Sequence, residues 1–281
     1  MAVQLIDLLR AQLPALRYAP TPKRVRGRIE DRTMVDSAAA VLVWEPRYVT
    51  PRYAVPESDI DGELVPSSSS LSGEQAAAYV RRPVLDPSVP FDLHTTEGEF
   101  LEVRVRGSVR TVRAFRPADP DLEGRVLLDF RGMDEWREED QVVVAHPRDP
   151  LHRIEVVPAS RRVRVMLGDQ VLADTRRASI LLETMLPVRY YLPAEDIGVR
   201  LTPTETVTWC AYKGRASYLT AHTEEGPQID VAWTYAEPRH DASEVRGLVA
   251  FFQEHVDLEI DGERLERPVT PWSRDGPPEG R

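Results

Sequence analysis

The sequence predicts a mainly β protein made of two tandem copies of one domain with short helical decorations, and three observations carry that expectation. The first is alternation. Leu101, Val103 and Val105 are interleaved with Glu102, Arg104 and Arg106, and Val163 and Val165 with Arg162 and Arg164, which is the period of a half-buried strand. The second is punctuation. Gly168-Asp169 follows the one run and Asp261-Gly262 follows Leu258 and Ile260, both hairpin signals, and 24 prolines and 15 glycines suit strands and turns better than a helical bundle. The third is self-similarity. Val25, Arg26, Asp31, Asp36, Ala40 and Glu45 fall in one register on Val163, Arg164, Asp169, Asp174, Ala178 and Glu183. After a one-residue deletion, Tyr53, Pro56, Asp59, Ile60, Leu64 and Pro66 fall on Tyr190, Pro193, Asp196, Ile197, Leu201 and Pro203. Such a register over so many positions points to a duplication. Later the match loosens to Gly124, Arg125 and Val126 against Gly247, Leu248 and Val249.

These signals divide the chain into an N-terminal helix and extension (1–21), a first repeat domain (22–151), a connector (152–159), a second repeat domain (160–270) and a flexible tail (271–281). Val3 to Leu13 is apolar at helical spacing and ends at Pro14, with Asp7 and Arg10 interrupting it, so it reads as a short helix and not as a signal segment. Inside the first copy a serine run, Ser67 to Ser70, precedes a capping box, Ser72-Gly73-Glu74-Gln75, and then Ala76 to Val80. A short helix on an inserted loop is the expectation.

Composition narrows the partners. A net charge of −10 without a basic face argues against nucleic acid. Lys23, Arg24, Arg26 and Arg28 alternate with Val25 and Gly27 and read as an exposed strand face. No apolar run approaches the roughly 20 residues that cross a bilayer, so no membrane partner is expected. Cys210 is the lone cysteine, which forbids an intramolecular disulfide and a four-cysteine zinc site and fits a reducing, cytoplasmic location. His146 and His152 flank Arg148 and Asp149, but no third metal ligand stands with them. The segment reads as a connector held by arginine–aspartate pairing, and neither metal nor cofactor is expected.

The run Trp209-Cys210-Ala211-Tyr212-Lys213-Gly214-Arg215-Ala216-Ser217-Tyr218 closely resembles the cysteine, lysine-glycine and tyrosine signature of the bacterial domain-of-unknown-function family numbered 427. Arg189 to Pro193 with Asp196, Ala232 to Tyr235 with Pro238, Gly247 to Phe252, and Asp261-Gly262-Glu263 resemble the family in the same order. Trp136 to Asp140 and His146 to Arg153 resemble its two-copy branch. The resemblance implies the Mss4-like, or β-tent, architecture, and implies little about activity. A nucleotidyltransferase-like label used for the family would require paired carboxylates on metal ions. Asp257, Glu259 and Asp261 share one strand face, but no glycine-serine turn or phosphate-cradling loop accompanies them, and a solvated face is the simpler reading. Relatives that clamp zinc use two cysteine pairs, which this chain lacks.

Candidate chemistry concentrates in the second copy, because the first copy offers His94 and Glu97 before Gly98 where the second has Cys210 and Lys213 before Gly214. The 36 basic residues comprise 34 arginines and two lysines, Lys23 and Lys213. A lysine where arginine is the rule suggests a compact ammonium that holds an anionic or carbonyl oxygen, or an amine that loses its proton when desolvated. An exposed turn lysine is the other reading. Glu183 ends an apolar strand, as Glu45 does, and pairs with Arg189 or Lys213 or acts as an acid or base with a raised pKa in a dry pocket. Cys210 reads as a small strand hydrophobe, and as a nucleophile only if Lys213 lowers its pKa and His222 or His255 approaches. Arg189, Tyr190, Tyr218, Trp233 and Tyr235 are candidate ligand-binding residues, and the aromatics suit pocket walls and ordinary core alike. The expectation is a small-molecule-binding protein, with proton-transfer or carbonyl chemistry as the enzymatic version. Its rival is a non-catalytic interaction module that faces another protein or a second copy in a homodimer. The two differ in whether Lys213 and Glu183 converge in an aromatic-lined hollow.

Overall fold

The alternating runs become antiparallel strands in a computed structural model, which describes residues 2–68, 71, 73–80, 82–270 and 272–273. The chain divides into two units, Met1–Pro150 and Leu151–Arg281. In the first, α1 (Leu5–Ala11) precedes β1 (Arg17–Pro20), β2 (Val25–Ile29), β3 (Arg32–Ser37), β4 (Val41–Trp44), β5 (Arg52–Pro56) and β6 (Gly62–Pro66). After α2 (Gly73–Val80) come β7 (Gly98–Val105), β8 (Thr111–Pro117), β9 (Arg125–Leu128), β10 (Glu135–Glu138) and β11 (Gln141–Val143). The second unit holds β12 (Ile154–Ala159), β13 (Val163–Leu167), β14 (Gln170–Thr175), β15 (Ala178–Glu183), β16 (Arg189–Leu192) and β17 (Arg200–Cys210). It continues with β18 (Gly214–Thr223), β19 (Gly226–Thr234), β20 (Val249–Phe251), β21 (Asp257–Ile260) and β22 (Glu263–Arg264).

Each unit pairs a seven-stranded with a four-stranded sheet. The orders are β1-β4-β5-β9-β8-β7-β6 and β11-β10-β2-β3 in the first unit, and β12-β15-β16-β20-β19-β18-β17 and β14-β13-β21-β22 in the second. Strand for strand the second order repeats the first. The likeness reaches single residues. β2 pairs with β3 from Val25–Ser37 and slips between Gly27 and Arg28; β13 pairs with β14 from Val163–Thr175 and slips between Val165 and Met166. Arg24 bonds to Asp36 and Arg162 to Asp174. Pro56 and Pro193 each precede a single 3-10 turn.

Two boundaries differ from the sequence reading. Residues 154–159, expected within a connector, are β12, which pairs along its whole length with β15. Residues 17–20, expected in an extension, are β1 and pair with β4. Neither edge strand alternates strongly enough in polarity to be recognised before its neighbour is in place. The last two residues of the serine run, Ser72 of the expected capping box with the side chains of Glu74 and Gln75, and the tail apart from 272–273 lie outside what is described.

Between the two sheets lies a core: Val25, Tyr53, Val103, Val126 and Trp136 with their neighbours in the first unit, Val163, Leu172, Leu192, Ala232 and Leu258 with theirs in the second. The seven-stranded sheets also bury their outer faces. Val41 and Val43 face outward while Leu42 and Trp44 face the core, which is why β4 is a continuous apolar run. In the first unit that outer face packs against Phe91 and Leu122, with Leu85, Val89 and Leu93 gathered beside it on Tyr48. Phe91, Leu85, Val89 and Leu93 all come from the long β6–β7 connection that carries α2. In the second unit the equivalent connection is only Ala211, Tyr212 and Lys213, between Cys210 and its cross-strand partner Gly214. Its outer face packs instead against Ala242 and Val245.

Candidate functional site

The outer face of the second unit's large sheet collects most of the candidate residues. Cross-strand register places Leu181 beside Arg189, Ser179 beside Tyr191, Tyr191 and Trp233 beside Ala250, and Trp233 beside Tyr218. Leu181, Tyr191, Ala216, Trp233 and Tyr235 are buried there, with Tyr218 and Phe252 partly exposed at the margin. Trp233 Nε1 donates to Tyr191 Oη at 3.1 Å with the rings edge to face, and Phe252 packs on Trp233 at 4.5 Å between centroids. Tyr190 is on the other face, in the inter-sheet core. Adjacent strand residues point to opposite sides, and it is Tyr191 that joins Trp233 and Tyr235.

Glu183, the last residue of β15, is almost wholly buried and its two oxygens serve different partners. Oε2 accepts from Lys213 Nζ, and Oε1 lies 3.0 Å from His152 Nε2. Lys213 reaches this position because its hairpin closes through Gly214 at φ 94°, a conformation glycine adopts at little cost, and its carbonyl accepts from Arg239 N at 3.0 Å. It is therefore buried and not an exposed turn lysine. His152 stacks on Tyr212, 4.0 Å between centroids, and its Nδ1 has no hydrogen-bond partner among the described residues. Beside the cluster is an open surface depression lined by Arg153, Glu155, Leu182, Glu183 and Thr184.

Electrostatics decide the protonation states. Burial alone would push the Glu183 carboxyl up, but the Lys213 ammonium and the His152 hydrogen bond outweigh it and hold the group at about 2. Burial opposes the charge on Lys213, and Glu183 more than compensates, raising its pKa. The expected raised-pKa glutamate and proton-losing lysine are thus corrected: the pair is ionised, because each partner's charge outweighs the desolvation of the other. The Tyr191 hydroxyl is pushed up to about 12 by burial, with the nearby Glu183 adding to the rise and Lys213 opposing it. Tyr235 rises too, chiefly through burial.

Other candidates have different places. Arg189 does not join Glu183; it forms a bidentate pair with Glu254 at 2.6 and 2.8 Å, its guanidinium near the rings of Trp233 and Trp272. Cys210 is a half-buried free thiol at the end of β17, close enough to Lys213 and Tyr235 to interact electrostatically. His222 is at the far end of the hairpin, bonded to Thr202, and cannot serve as a base for Cys210. His152 was not among the residues the sequence singled out for the site. His152, which the sequence placed in the connector as one of two histidines with no third metal ligand, has Glu183 as its partner. Asp257, Glu259 and Asp261 are each held by arginines: Asp257 by Arg264 and Arg267, Glu259 by Arg164, Asp261 by Arg161. Asp257 is buried, which corrects the solvated reading for that residue.

In the first unit Glu45 is also buried and also doubly engaged, by Arg52 at 2.5 Å and His94 Nδ1 at 2.9 Å, and it further accepts from Thr95 N at 2.9 Å. The His94 ring lies among Phe91, Phe100 and Phe115, stacked on the last at 3.7 Å. There the inserted connection itself fills the place beside the glutamate.

Among the described residues no helix is long and apolar enough to cross a membrane. No curated protein matches the chain. Residues 155–262, within the second unit, match the family model described as a domain of unknown function (DUF427), a span that includes Glu183, Lys213 and the aromatic face.

Proposed function

We propose that the second unit binds a small molecule beside the Glu183 cluster and moves a proton to or from it through His152. The observation that carries this reading is the division of one carboxylate between Lys213 and His152. Lys213 keeps Glu183 ionised. Glu183 in turn accepts from Nε2–H, which leaves Nδ1 as the basic nitrogen, the arrangement by which a carboxylate sets the tautomer and orientation of a general-base imidazole. Among the described residues Nδ1 has no partner to compete with a substrate. His152 thus takes the acid–base role that the sequence offered to Glu183, and Glu183 and Lys213 become positioning residues. Carbonyl chemistry through a neutral Lys213 amine loses its support, since the amine is held as an ammonium.

The same strand order, the shared slip and the paired Arg–Asp bonds support an internal duplication, and two sheets closing over one core support the β-tent reading. In that view the first copy has closed its equivalent face with its own insertion and the second has kept it for a ligand.

Two measurements test the proposal. Nitrogen-15 spectra of imidazole-labelled protein should show His152 protonated at Nε2 and bare at Nδ1, with the pattern lost in Glu183→Gln. A compound released from purified, denatured protein and identified by mass spectrometry should raise the melting temperature of the native protein and not of His152→Asn. A proton on Nδ1, or an equal thermal shift in His152→Asn, rules the proposal out.

A further inference from the structure

β17 is the last strand of its sheet, so one row of its N–H and C=O groups has no strand partner among the described residues. Proteins usually blunt such edges with charge, proline, a bulge or shortness, because a bare edge is a template for another chain. The first part of β17 is blunted in this way: it carries Arg200, Pro203 and Glu205 and an irregular register between Pro203 and Val207. Thr206 to Cys210 carries no charge and no proline. Val207 and Trp209 lie on one face of this stretch and are 37% and 55% exposed. An indole left that open at a bare strand edge is the feature to be explained.

We propose that Thr206–Cys210 pairs antiparallel with the same segment of a second copy of the chain, about a two-fold axis through Thr208. In that register Val207 of each copy stands opposite Trp209 of the other, a β-branched and aromatic cross-strand pair made twice. Thr206 stands opposite Cys210, and Glu205 opposite Ala211, so the carboxylates do not meet. Sliding the axis to Val207 sets Trp209 against Glu205 and loses both Val–Trp pairs. The segment is therefore complementary to itself, which is what a closed two-fold contact requires and what a contact with an unrelated strand does not. The face that carries Thr208, Cys210 and Tyr218 continues into the second copy, so both candidate sites share one extended sheet. This inference does not depend on the acid–base role of His152.

The full chain tests it in two ways. Sedimentation velocity should show a dimer for the wild type and a monomer for the double variant Val207→Lys, Trp209→Lys, with the circular-dichroism spectrum of the folded chain unchanged because both side chains are exposed. In a Cys210→Ser background, Thr208→Cys should form a disulfide-linked dimer on mild oxidation at least tenfold faster than Val109→Cys, a control at a fully exposed position. A monomeric wild type, a dimer that survives the two lysines, or equal cross-linking at 208 and 109 overturns the proposal. So does a monomer that instead pairs β17 with a strand of a different protein.

Discussion

Glu45 and Glu183 stand at the same point of the repeated strand order, Glu45 directly after β4 and Glu183 at the end of β15, yet they close different structures. Glu45 binds Arg52, His94 and the Thr95 amide and so fastens the inserted connection onto its own sheet. Glu183 binds Lys213 and His152 beside an open depression. A carboxylate at the same strand position is a latch in one unit and the centre of a candidate site in the other.

The Lys213–Glu183 pair should behave as a buried ion pair. Lys213→Met leaves a buried carboxylate with only His152 as partner and should cost about 3–5 kcal/mol, whereas Lys213→Met with Glu183→Leu should recover most of the loss. Chemical denaturation of the four proteins in a double-mutant cycle checks this; a loss below about 0.5 kcal/mol for Lys213→Met would return the lysine to the exposed class.

Acid should weaken the second unit through Glu183. Its folded pKa of about 2 lies below the ordinary 4.5, so its contribution is complete above about pH 4.5 and disappears as pH falls toward 2. The amount is on the order of 3 kcal/mol. Unfolding free energy measured across that range should lose this slope in Glu183→Gln; an unchanged slope would show that the carboxylate is not held ionised by the fold.

In the first unit burial depresses the His94 pKa despite Glu45. The sign is that of a group that resists protonation in the fold: stability is complete above the usual imidazole value of about 6.5 and declines as pH falls below it. Proton NMR titration should place His94 below 6.5, and a value at or above that would contradict the buried environment.

Gly214 should not tolerate a side chain. At φ 94° an alanine Cβ would sit 3.2 Å from Arg239 Cγ and 3.4 Å from Arg239 N. Gly214→Ala should lower stability by about 1–2 kcal/mol by strain alone, and by more if Lys213 is displaced from Glu183. A melting temperature equal to wild type would show that the hairpin can close another way.

Much of this molecule is legible in residue order alone. Alternation and turn pairs define the strands and hairpins because both act within a few residues: Asp261 and Gly262 both take positive φ, as a tight hairpin turn demands. The register linking Val25 to Val163 and Pro56 to Pro193 predicts the recurring strand order, and the scarcity of lysine marks Lys213. Tertiary structure alone decided which side of each strand meets which neighbour. Tyr190 and Tyr191 are interchangeable in a sequence, and only sheet packing sends the first to the core and the second to Trp233. His152 sits 31 residues before Glu183 and has no local pattern; it reaches the carboxylate because β12 pairs with β15 and sets Ile154 opposite Glu183. Arg189 finds Glu254 for the same reason, across strands brought together by the sheet. The pKa directions follow from those meetings, since burial and a partner's charge oppose each other and only distance settles which one wins.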